Sequence, residues 1–543
     1  MVVRTKGARC RNRAIFIRKF PKNKKENMAA STTSSFPTSQ EGVATSSQQN
    51  LDAITDDDFE YVDEEFVLSH SAEQQAQPEP MIPDLFKQPS LVKDDLITAT
   101  SQLQDQTVEH CLPFLTGEDG PLDLNDYGLP KLNREKHIKF LKQSLGPLPG
   151  RFVAVDASRP WYLYWCLSGL TMMGEDVSSY RDSVIETART MQNESGGFGG
   201  GHGQTSHLAT TYAVILAIAL VGGEEAYDVI DKKAMWKWLC SLKQPDGGFQ
   251  VCVGGEEDIR GAYIAAVIIT LLDLPLDLTP ESPAYDGRSN LLTGLAEYVR
   301  SCQTFEGGIS SQPNNEAHGA YAFCALACLA ILDNPRRIIP SYLDVPRLIS
   351  WLSYRQYAPE GGFSGRTNKL VDGCYSHWAG GCFPLIEACL SPSGPGSEKN
   401  KTATGLAAAP ESLYSREGLI RYILCCCQDQ TKRGGLRDKP YKMSDPYHTN
   451  YVLSGLSSAQ HQWDLDSDPL PLPNGDTTPS LAALGADSVW NVFPYIDEND
   501  QIYEDSDRVR PIHPAYAIPQ KNVNAIRAYF QGRSGFASTL GGE

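Results

Sequence analysis

Apolar residues in this chain gather into runs of helix length that are separated by short glycine-containing marks. Residues 320–332 and 343–356 are two such runs between consecutive marks. They are longer than typical β-strands and are rich in alanine and leucine, so they predict α-helices. The marks are glycine pairs that begin at Gly196, Gly247, Gly307, Gly361 and Gly434.

These marks define a repeat. A glutamine stands shortly before several of them, as at Gln192, Gln244 and Gln303, and two helical runs lie between one mark and the next. One helix pair cannot bury its apolar face by itself, so successive pairs must stack on each other. The pattern therefore predicts an all-α fold whose repeats either form an open solenoid or close into a ring.

The repeats predict one domain over residues 131–535, which opens near Arg134 and closes with a short helix at 522–530. Two polar stretches inside it, 391–412 and 459–510, predict loop insertions. Residues 1–130 show little periodicity and predict a disordered or poorly ordered extension. Its basic start fits either a transit peptide or an unstructured segment upstream of a true start at Met28.

Composition narrows the class of protein. With 41% hydrophobic and 21% charged residues the chain is close to the globular average. A net charge of −18 argues against general nucleic-acid binding, which needs a basic face. The 14 cysteines form no paired C-x-x-C framework, and no apolar run reaches membrane-spanning length. We therefore expect reduced thiols, no stable membrane insertion and a cytoplasmic location.

Three residues near the last two marks could bind a metal. Asp372, Cys374 and His448 offer a carboxylate, a thiolate and an imidazole. Such a set suits a tetrahedral zinc with three protein ligands and one open position, which is the pattern of catalytic sites. A D-x-C pair and a histidine before a helix also occur without any metal, so residue types alone leave both interpretations open.

Cations and aromatic rings surround these residues in the sequence. Arg366 and Lys369 lie close together at a glycine mark and, with Tyr375, could hold a diphosphate. A solvated basic turn would look the same. Aromatic residues in the helical runs fit either a packed core or the wall of an apolar cavity for a long hydrocarbon ligand. These residues are Trp161, Trp165, Tyr263, Tyr321 and Trp378.

Four segments together resemble the β subunits of the protein farnesyltransferase family. They are residues 156–165, 316–324, 362–378 and 435–451, which occur in the family's order with the glycine repeats between them. The resemblance covers roughly residues 134–530. It implies an α/α toroid of six inner and six outer helices with the active site in its centre. It also implies an obligate α subunit, farnesyl diphosphate as donor and CaaX-terminated proteins as acceptors.

The resemblance assigns roles residue by residue. The zinc ligands, one ion per β subunit, are Asp372, Cys374 and His448. Diphosphate binding falls to His318, Arg366, Lys369 and Tyr375. The isoprenoid wall consists of Trp161, Arg260, Tyr263, Tyr321, Cys324, Trp378 and Tyr451. Peptide contacts are implied for Trp161, Trp165, Arg260 and Tyr447. Catalytic roles are implied for Asp438, Lys369 and Tyr375, with Mg²⁺ joining Asp438 to the diphosphate.

Other functions compete with this interpretation. The type I geranylgeranyltransferase β subunits share most of the site, but Trp161, Tyr451 and Asp438 match the farnesyl enzyme. A terpene cyclase would share the barrel, but its acidic motifs could only be residues 56–58 or 464–468, which lie in loop-like sequence. A helical-repeat binding scaffold without catalysis is a remote alternative. Metal analysis of the purified heterodimer would test for the scaffold, and a competition between the two diphosphates would separate the transferases.

Three positions depart from the family pattern. Thr367 stands where a cysteine is common, and His377 and Pro446 stand where phenylalanine is common. None of them is a proposed ligand. Pro446 directly precedes Tyr447 and His448 and could shift their approach, so this departure leaves peptide preference open.

Overall fold

The computed structural model describes residues 95–118, 123–391, 412–465, 489–495, 502–531 and 533. Three 3₁₀ segments lie at Gly150–Ser158, Ser178–Tyr180 and Asp505–Asp507, and a π-helical turn spans Tyr422–Cys427. Strands β1 (His461–Leu465) and β2 (Trp490–Pro494) form an antiparallel pair. The α-helices in chain order are α1 (Ala99–Thr116), α2 (Arg134–Ser144), α3 (Arg159–Met172), α4 (Arg181–Met191), α5 (Leu208–Val221), α6 (Glu224–Tyr227), α7 (Lys232–Leu242), α8 (Ile259–Leu271), α9 (Leu295–Ser301), α10 (Gly319–Leu332), α11 (Pro335–Tyr342), α12 (Val345–Ser353), α13 (Tyr375–Trp378), α14 (Cys382–Leu390), α15 (Arg416–Arg421), α16 (Pro446–Gln460) and α17 (Gln520–Gln531).

Six inner helical segments form a closed ring. Helix α3 packs on α5, α5 on α8, α8 on α10, α10 on α13 and α14, and α13 on α16, which returns to α3. Outside them lie α2, α4, α7, α9, α12 and α15, the last continued by the π-helical turn. The prediction of an α/α toroid with six inner and six outer helices is confirmed, and of the two stacking modes the ring is the one observed.

The sequences of the two layers differ as their burial requires. Helix α5 reads LATTYAVILAIALV, and every residue except Ala209 is buried. A helix that is apolar all round can be stable only when protein surrounds it. In the outer helix α7, Met235, Trp238, Leu239 and Leu242 are buried on one face, the spacing of an amphipathic helix.

The glycine marks are the places where one repeat meets the next. Gly361 has a φ of 82°, and a Cβ built on it would lie 2.2 Å from the carbonyl oxygen of Gly418 in outer helix α15. Only glycine allows both this left-handed conformation and such a close approach. Glycine therefore recurs in the sequence at each place where a turn packs closely against the next outer helix.

The glutamines of the repeat form hydrogen bonds that join each glycine turn to the next outer helix. The amide of Gln356 donates to the carbonyls of Gly361 and Ser415, and its oxygen accepts from the backbone N–H of Ser415, the N-cap of α15. Gln303 pairs in the same way with Asp344, the N-cap of α12.

Gln244 differs from Gln303 and Gln356 in its contacts. Its side-chain amide donates to the carbonyl of Leu242 within its own turn. The position equivalent to Gln303 is Lys243. Lys243 forms a β-bridge with Phe249, just as Gln303 forms one with Ile309 in the next repeat. The repeat therefore tolerates a lysine there, whose buried ammonium donates to the carbonyl of Gly247.

The ring is open at one end and filled at the other. Along inner helices α8 and α10, partly exposed residues occur only in the first turn, at Arg260, Ala320 and Tyr321. At the opposite end the C-terminal segment crosses the ring, where the N–H of Arg510 donates to Met172 and the amide of Asn522 donates to Ala219. Among the described residues, the end where the inner helices begin is therefore the accessible one.

Two segments that were predicted to be irregular contain regular structure. Within the predicted N-terminal extension, α1 starts at a capping box of Thr98 and Ser101. It buries Val108, Cys111 and Leu115, an amphipathic spacing that is hidden by the polar residues around it. Within the predicted loop 459–510, α16 runs on to Gln460, and β1 and β2 follow. Residues 1–94 and most of the predicted insertion 391–412 lie outside the described residues.

Boundaries elsewhere differ little from prediction. The runs at 320–332 and 343–356 are helices α10 and α12, and the short final helix is α17. The run Cys425 to Cys427 is buried, as expected for small apolar side chains. No helix among the described residues is both long enough and apolar enough to span a bilayer.

Candidate active site

Asp372, Cys374 and His448 meet at the open end of the ring. Each offers one ligand atom, and these atoms all lie within 4.8 Å of one another. Asp372 and Cys374 are placed by the turn before α13, where the N–H of Cys374 donates to Oδ1 of Asp372 at 2.8 Å. His448 comes from the first turn of α16. One cation could therefore reach all three ligands.

Asp445 orients His448. It is the N-cap of α16, where Oδ1 accepts from the backbone N–H of His448 at 2.8 Å. Its Oδ2 lies 2.6 Å from Nδ1 of the same imidazole. A histidine that binds a metal through one ring nitrogen usually has its other nitrogen held by a carboxylate in this way. The sequence analysis missed Asp445, although its place three residues before His448 marks it as a helix cap.

The electrostatics of this cluster favour a bound cation. Burial alone would lower the pKa of His448, but the carboxylates of Asp445 and Asp372 outweigh burial and raise it. Burial, and then the charge of Asp372, raises the pKa of the Cys374 thiol, so its thiolate needs a neighbouring cation. Nε2 of His448 is 3.3 Å from Oδ1 of Asp372 and forms no hydrogen bond among the described residues. The residues present therefore fit a divalent metal.

Asp438 is half-buried beside this cluster and is paired with Lys439. Burial and the charge of Asp372 raise the pKa of Asp438 to about 6, although Lys439 acts in the opposite direction. Its second oxygen, Oδ1, is buried and has no hydrogen-bond partner among the described residues. Asp438 is thus a largely ionised carboxylate at neutral pH with one unused oxygen.

His318 and Tyr375 form a polar pair next to the metal ligands. Nε2 of His318 is 3.1 Å from Oη of Tyr375. His318 is also the N-cap of α10, and its Nδ1 accepts from the N–H of Ala320, so Nε2 carries the proton in the neutral ring. Burial, and then the charge of Arg366, lowers the pKa of His318 to about 4. The imidazole is therefore a neutral hydrogen-bond donor at physiological pH.

The two predicted cations lie at the rim of the same end. Arg366 is half-buried and forms an ion pair with Glu316 at 3.0 Å, whereas Lys369 is exposed. Both are in the turn between Gly362 and Asp372 and are at least partly exposed. Their charges can therefore attract an anion from solvent.

Aromatic side chains line the interior of the helical toroid below these polar groups. Trp378 contacts Tyr451 with ring centroids 4.5 Å apart, and its Nε1 donates to Oη of Tyr447 at 3.1 Å. Trp161 stacks on Trp165 at 5.5 Å, and Trp165 contacts Tyr447 at 5.3 Å. These five residues thus form one connected surface.

The remaining predicted residues lie on α8 and α10. Arg260 is held by the N-cap Asp258 through two hydrogen bonds from its Nε, each 3.1 Å long. Tyr263 and Cys324 are buried, and Tyr321 is half-buried with its ring 5.2 Å from His318. Tyr321 thus contacts the polar pair of His318 and Tyr375, whereas Lys369 is exposed.

Several aromatic residues of the wall were missed. Tyr212 and Phe323 occupy the position of Tyr263 in their own helices, five residues after the N-cap. Tyr212 shares a hydroxyl contact of 3.1 Å with Tyr263, and Phe323 contacts Trp378 at 5.7 Å. His377 lies 5.1 Å from Tyr451, and its Nδ1 is 2.7 Å from Oγ of Ser454. Aligning the helices by their caps would have found the first two.

Comparisons with known proteins agree with this architecture. Residues 132–518 match the prenyltransferase α/α-toroid domain. The chain is 54% identical over 533 residues to the protein farnesyltransferase subunit beta of Pyricularia oryzae, across 97% of this chain and 98% of that one. This chain belongs to the prenyltransferase α/α-toroid family, among the farnesyltransferase β subunits.

More distant members show the same relationship. The protein farnesyltransferase subunit beta of Schizosaccharomyces pombe is 37% identical over 439 residues, which are 80% of this chain and 98% of that one. Among solved structures, Candida albicans protein geranylgeranyltransferase-I complexed with GGPP aligns with a TM-score of 0.52 at 20% identity. That alignment covers 74% of this chain and 99% of the other, and it supports the fold alone.

Proposed function

We propose that this chain is the catalytic β subunit of a protein farnesyltransferase and acts in an obligate heterodimer with a prenyltransferase α subunit. It transfers farnesyl from farnesyl diphosphate to the cysteine thiol of C-terminal CaaX motifs. One observation carries the proposal. A metal-ligand set, a group of phosphate-binding donors and an aromatic wall meet at the open end of one ring. The 54% identity to a protein of that name supports the same assignment.

Asp372, Cys374 and His448 would hold one zinc ion, because their mixed oxygen, sulfur and nitrogen donors leave a fourth position open. When bound, zinc lowers the pKa of an acceptor thiol, so that a thiolate is present at neutral pH. Asp445 keeps the imidazole of His448 directed at the ligand position through its 2.6 Å contact. The protein thus supplies a fixed place for the nucleophile.

The departing diphosphate would bind to His318 and Tyr375 and be neutralised by Arg366 and Lys369. The Nε2–H of His318 and the hydroxyl of Tyr375 lie 3.1 Å apart and can point to the same anion. Donors placed where negative charge develops lower the barrier most effectively. Lys369 and Tyr375 are therefore the catalytic groups for the leaving group. The half-buried carboxylate of Asp438 could share Mg²⁺ with the diphosphate, because a hard cation accepts oxygen ligands from both.

The aromatic wall would bind the farnesyl chain and face its reacting end. Trp161, Tyr263, Tyr321, Cys324, Trp378 and Tyr451 form this wall, with Arg260 at its edge. Trp161, Trp165, Arg260 and Tyr447 would contact the CaaX peptide. Positive charge that develops on the allylic carbon is stabilised by aromatic faces. A farnesyl donor is favoured over geranylgeranyl because Trp161 and Tyr451 are bulky residues of this wall.

The proposal places the enzyme in the cytoplasm, without stable membrane insertion and without nucleic-acid binding. The 13 cysteines in the described part of the chain are all free, which suits a reducing compartment. The CaaX acceptors become membrane-bound only after modification. The enzyme itself therefore needs no membrane anchor for this reaction.

The decisive experiment uses the complex co-expressed with an α subunit. We expect about one zinc per heterodimer, and transfer of farnesyl to a CaaX peptide in preference to geranylgeranyl. A Cys374→Ser variant that folds with its partner should lose both zinc and transfer. A zinc-free wild-type complex without transfer would instead indicate a binding scaffold, and a preference for geranylgeranyl would indicate the type I relative.

Donor length has its own test. The double variant Trp161→Thr with Tyr451→Phe should shift the ratio of kcat/KM toward geranylgeranyl diphosphate, because it removes bulk from the wall. Each single variant should shift the ratio less. If the double variant keeps the wild-type ratio while it still binds zinc, the wall does not select the donor.

A further inference from the structure

Residues 513–518, here called the floor turn, close the filled end of the ring. Nδ1 of His513 accepts hydrogen bonds from the backbone N–H groups of Ala515 at 3.0 Å and Tyr516 at 3.3 Å. The N–H of Ala517 donates to the carbonyl of His513, and the N–H of His513 donates to the carbonyl of Ile518. These bonds make His513 the residue on which the shape of the turn depends.

The imidazole of His513 is fixed in one state and one place. Because two N–H groups point at Nδ1, that nitrogen must be an unprotonated acceptor. Burial lowers the pKa of His513 to about 3, which agrees with a neutral ring. Its ring centroid is 5.3 Å from that of Trp490 in β2 and 5.8 Å from that of Trp463 in β1. The β1–β2 pair thus supports the floor turn from outside.

The floor turn accepts hydrogen bonds from tyrosines at the deep end of the aromatic wall. The hydroxyl of Tyr263 donates to the carbonyl of Ala515 at 2.9 Å, and that of Tyr164 donates to the carbonyl of Ala517 at 3.0 Å. The hydroxyls of Tyr212 and Tyr263 lie 3.1 Å apart. All three tyrosines are buried. Two backbone carbonyls of one turn therefore hold the hydroxyls of Tyr164 and Tyr263, and Tyr212 is held through Tyr263.

These tyrosines are in direct contact with Trp161. The ring centroid of Trp161 is 6.2 Å from that of Tyr164 and 6.0 Å from that of Tyr212. A donor that reaches Trp161 would meet these two rings next. A longer donor could pass only if the tyrosine layer moved away, and that movement would break its buried hydrogen bonds to the floor turn.

We propose that His513 is a positioning residue that sets the depth of the prenyl-donor pocket by fixing the floor turn beneath Tyr164 and Tyr263. The inference rests on the proposed function, since it concerns the donor of that reaction. His513 does not touch the donor. It acts through two carbonyls and two hydroxyls, so its loss should change donor length preference rather than the chemistry of transfer.

The experiment measures kcat/KM for farnesyl and geranylgeranyl diphosphates with the α/β complex and a CaaX peptide. His513→Ala should shift the ratio toward the longer donor by about tenfold, the selectivity that small changes in an apolar pocket produce. His513→Asn should keep the wild-type ratio within about twofold, because an asparagine side chain accepts from the N–H two residues on, as in an Asx turn.

Tyr516→Phe is the matched control for stability. Tyr516 lies in the same turn and donates to Oγ1 of Thr270 at 3.0 Å, away from the carbonyls of Ala515 and Ala517. It should lower the Tm without changing the donor ratio. A folded His513→Ala complex with an unchanged ratio, or a Tyr516→Phe complex with an equal shift, would overturn the proposal.

Two outcomes keep the proposals separate. If the wild-type complex transfers neither donor, the proposed function fails before the floor turn is tested. If His513→Ala does not assemble with the α subunit, Tyr164→Phe replaces it. This variant keeps the aromatic side chain but removes the hydroxyl that donates to the carbonyl of Ala517. It should shift the ratio of kcat/KM values in the same direction. A Tyr164→Phe complex with the wild-type ratio would count against the floor turn.

Discussion

Gly434 lies against the backbone of Lys136, where the last repeat meets the first. A Cβ built on Gly434 would be 2.6 Å from the carbonyl oxygen of Lys136 in α2, and Gly434 has a φ of 68°. The same relationship joins the earlier repeats, as at Gly361 and Gly418. The ring is thus closed by the same kind of contact that stacks its repeats.

Gly434→Ala tests this closure. The left-handed φ alone should cost about 1–2 kcal/mol for an alanine, and the clash with Lys136 should add about 1–3 kcal/mol. Gly203→Ala is the control, because Gly203 has a similar φ of 75° but nothing within 4 Å of its built Cβ. Denaturant unfolding of both variants would show the difference. Equal losses of stability would mean that the closing contact contributes little.

Gln356→Ala tests the glutamine of the repeat. The variant loses three hydrogen bonds to the Gly361 turn and the N-cap of α15 and leaves their backbone groups unpaired. We expect a loss of about 2–4 kcal/mol in the free energy of unfolding. Gln244→Ala should lose less than about 1 kcal/mol, because its amide bonds only within its own turn. If both variants unfold at the same denaturant concentration, the glutamine does not link the repeats.

Asp445 has two roles that substitution can separate. Asp445→Asn keeps an N-cap for α16, since asparagine caps as well as aspartate does. It removes the carboxylate charge beside Nδ1 of His448, so zinc affinity should fall about 10- to 100-fold while the Tm changes little. Asp445→Ala should lose about 1 kcal/mol of stability as well. Competition with a chelator measures the affinity.

The control for this charge effect is Asp344→Asn at the N-cap of outer helix α12. It makes the same chemical change far from the metal ligands, so the zinc affinity of this variant should equal that of the wild type. An unchanged affinity in Asp445→Asn would show that the carboxylate charge of Asp445 does not support metal binding.

His137 makes stability depend on pH. Its Nδ1 accepts from the N–H of Gly435, its Nε2 contacts Gln428 at 2.9 Å, and burial lowers its pKa to about 4 from the usual 6.5. The unfolded chain therefore binds a proton at this group that the folded chain does not bind between pH 4 and 6.5. The contribution is fully present above pH 6.5 and is lost as pH falls toward 4.

Removing this group should flatten the pH profile. His137→Gln keeps a donor and an acceptor but cannot titrate in this range. Between pH 6.5 and 4, its free energy of unfolding should fall less steeply than that of the wild type. The difference in slope should correspond to about one bound proton, and the total difference to about 3 kcal/mol. Denaturant titrations at several pH values measure both slopes. Parallel profiles would show that His137 is protonated in the folded state.

Much of the site could be predicted because its residues lie within continuous motifs. Asp372 and Cys374 are two positions apart, and the glycine pairs identify the turns that carry them. Asp445 and Tyr212 were missed, since their roles depend on the helix caps rather than on a motif. Helix α1 was missed because its apolar stripe is sparse, and strands β1 and β2 because they are joined across a long separation in the sequence.

The sequence by itself determined the helical repeats, since apolar periodicity and glycine positions are local properties of the chain. It also indicated the residue types of the site, because those follow from motifs. Only the tertiary structure decided that the repeats close into a ring, that His448 approaches Asp372 to 3.3 Å, and that the floor turn lies beneath Tyr164 and Tyr263. These relationships join residues far apart in sequence, and their geometry depends on how the helices pack against one another rather than on any local pattern.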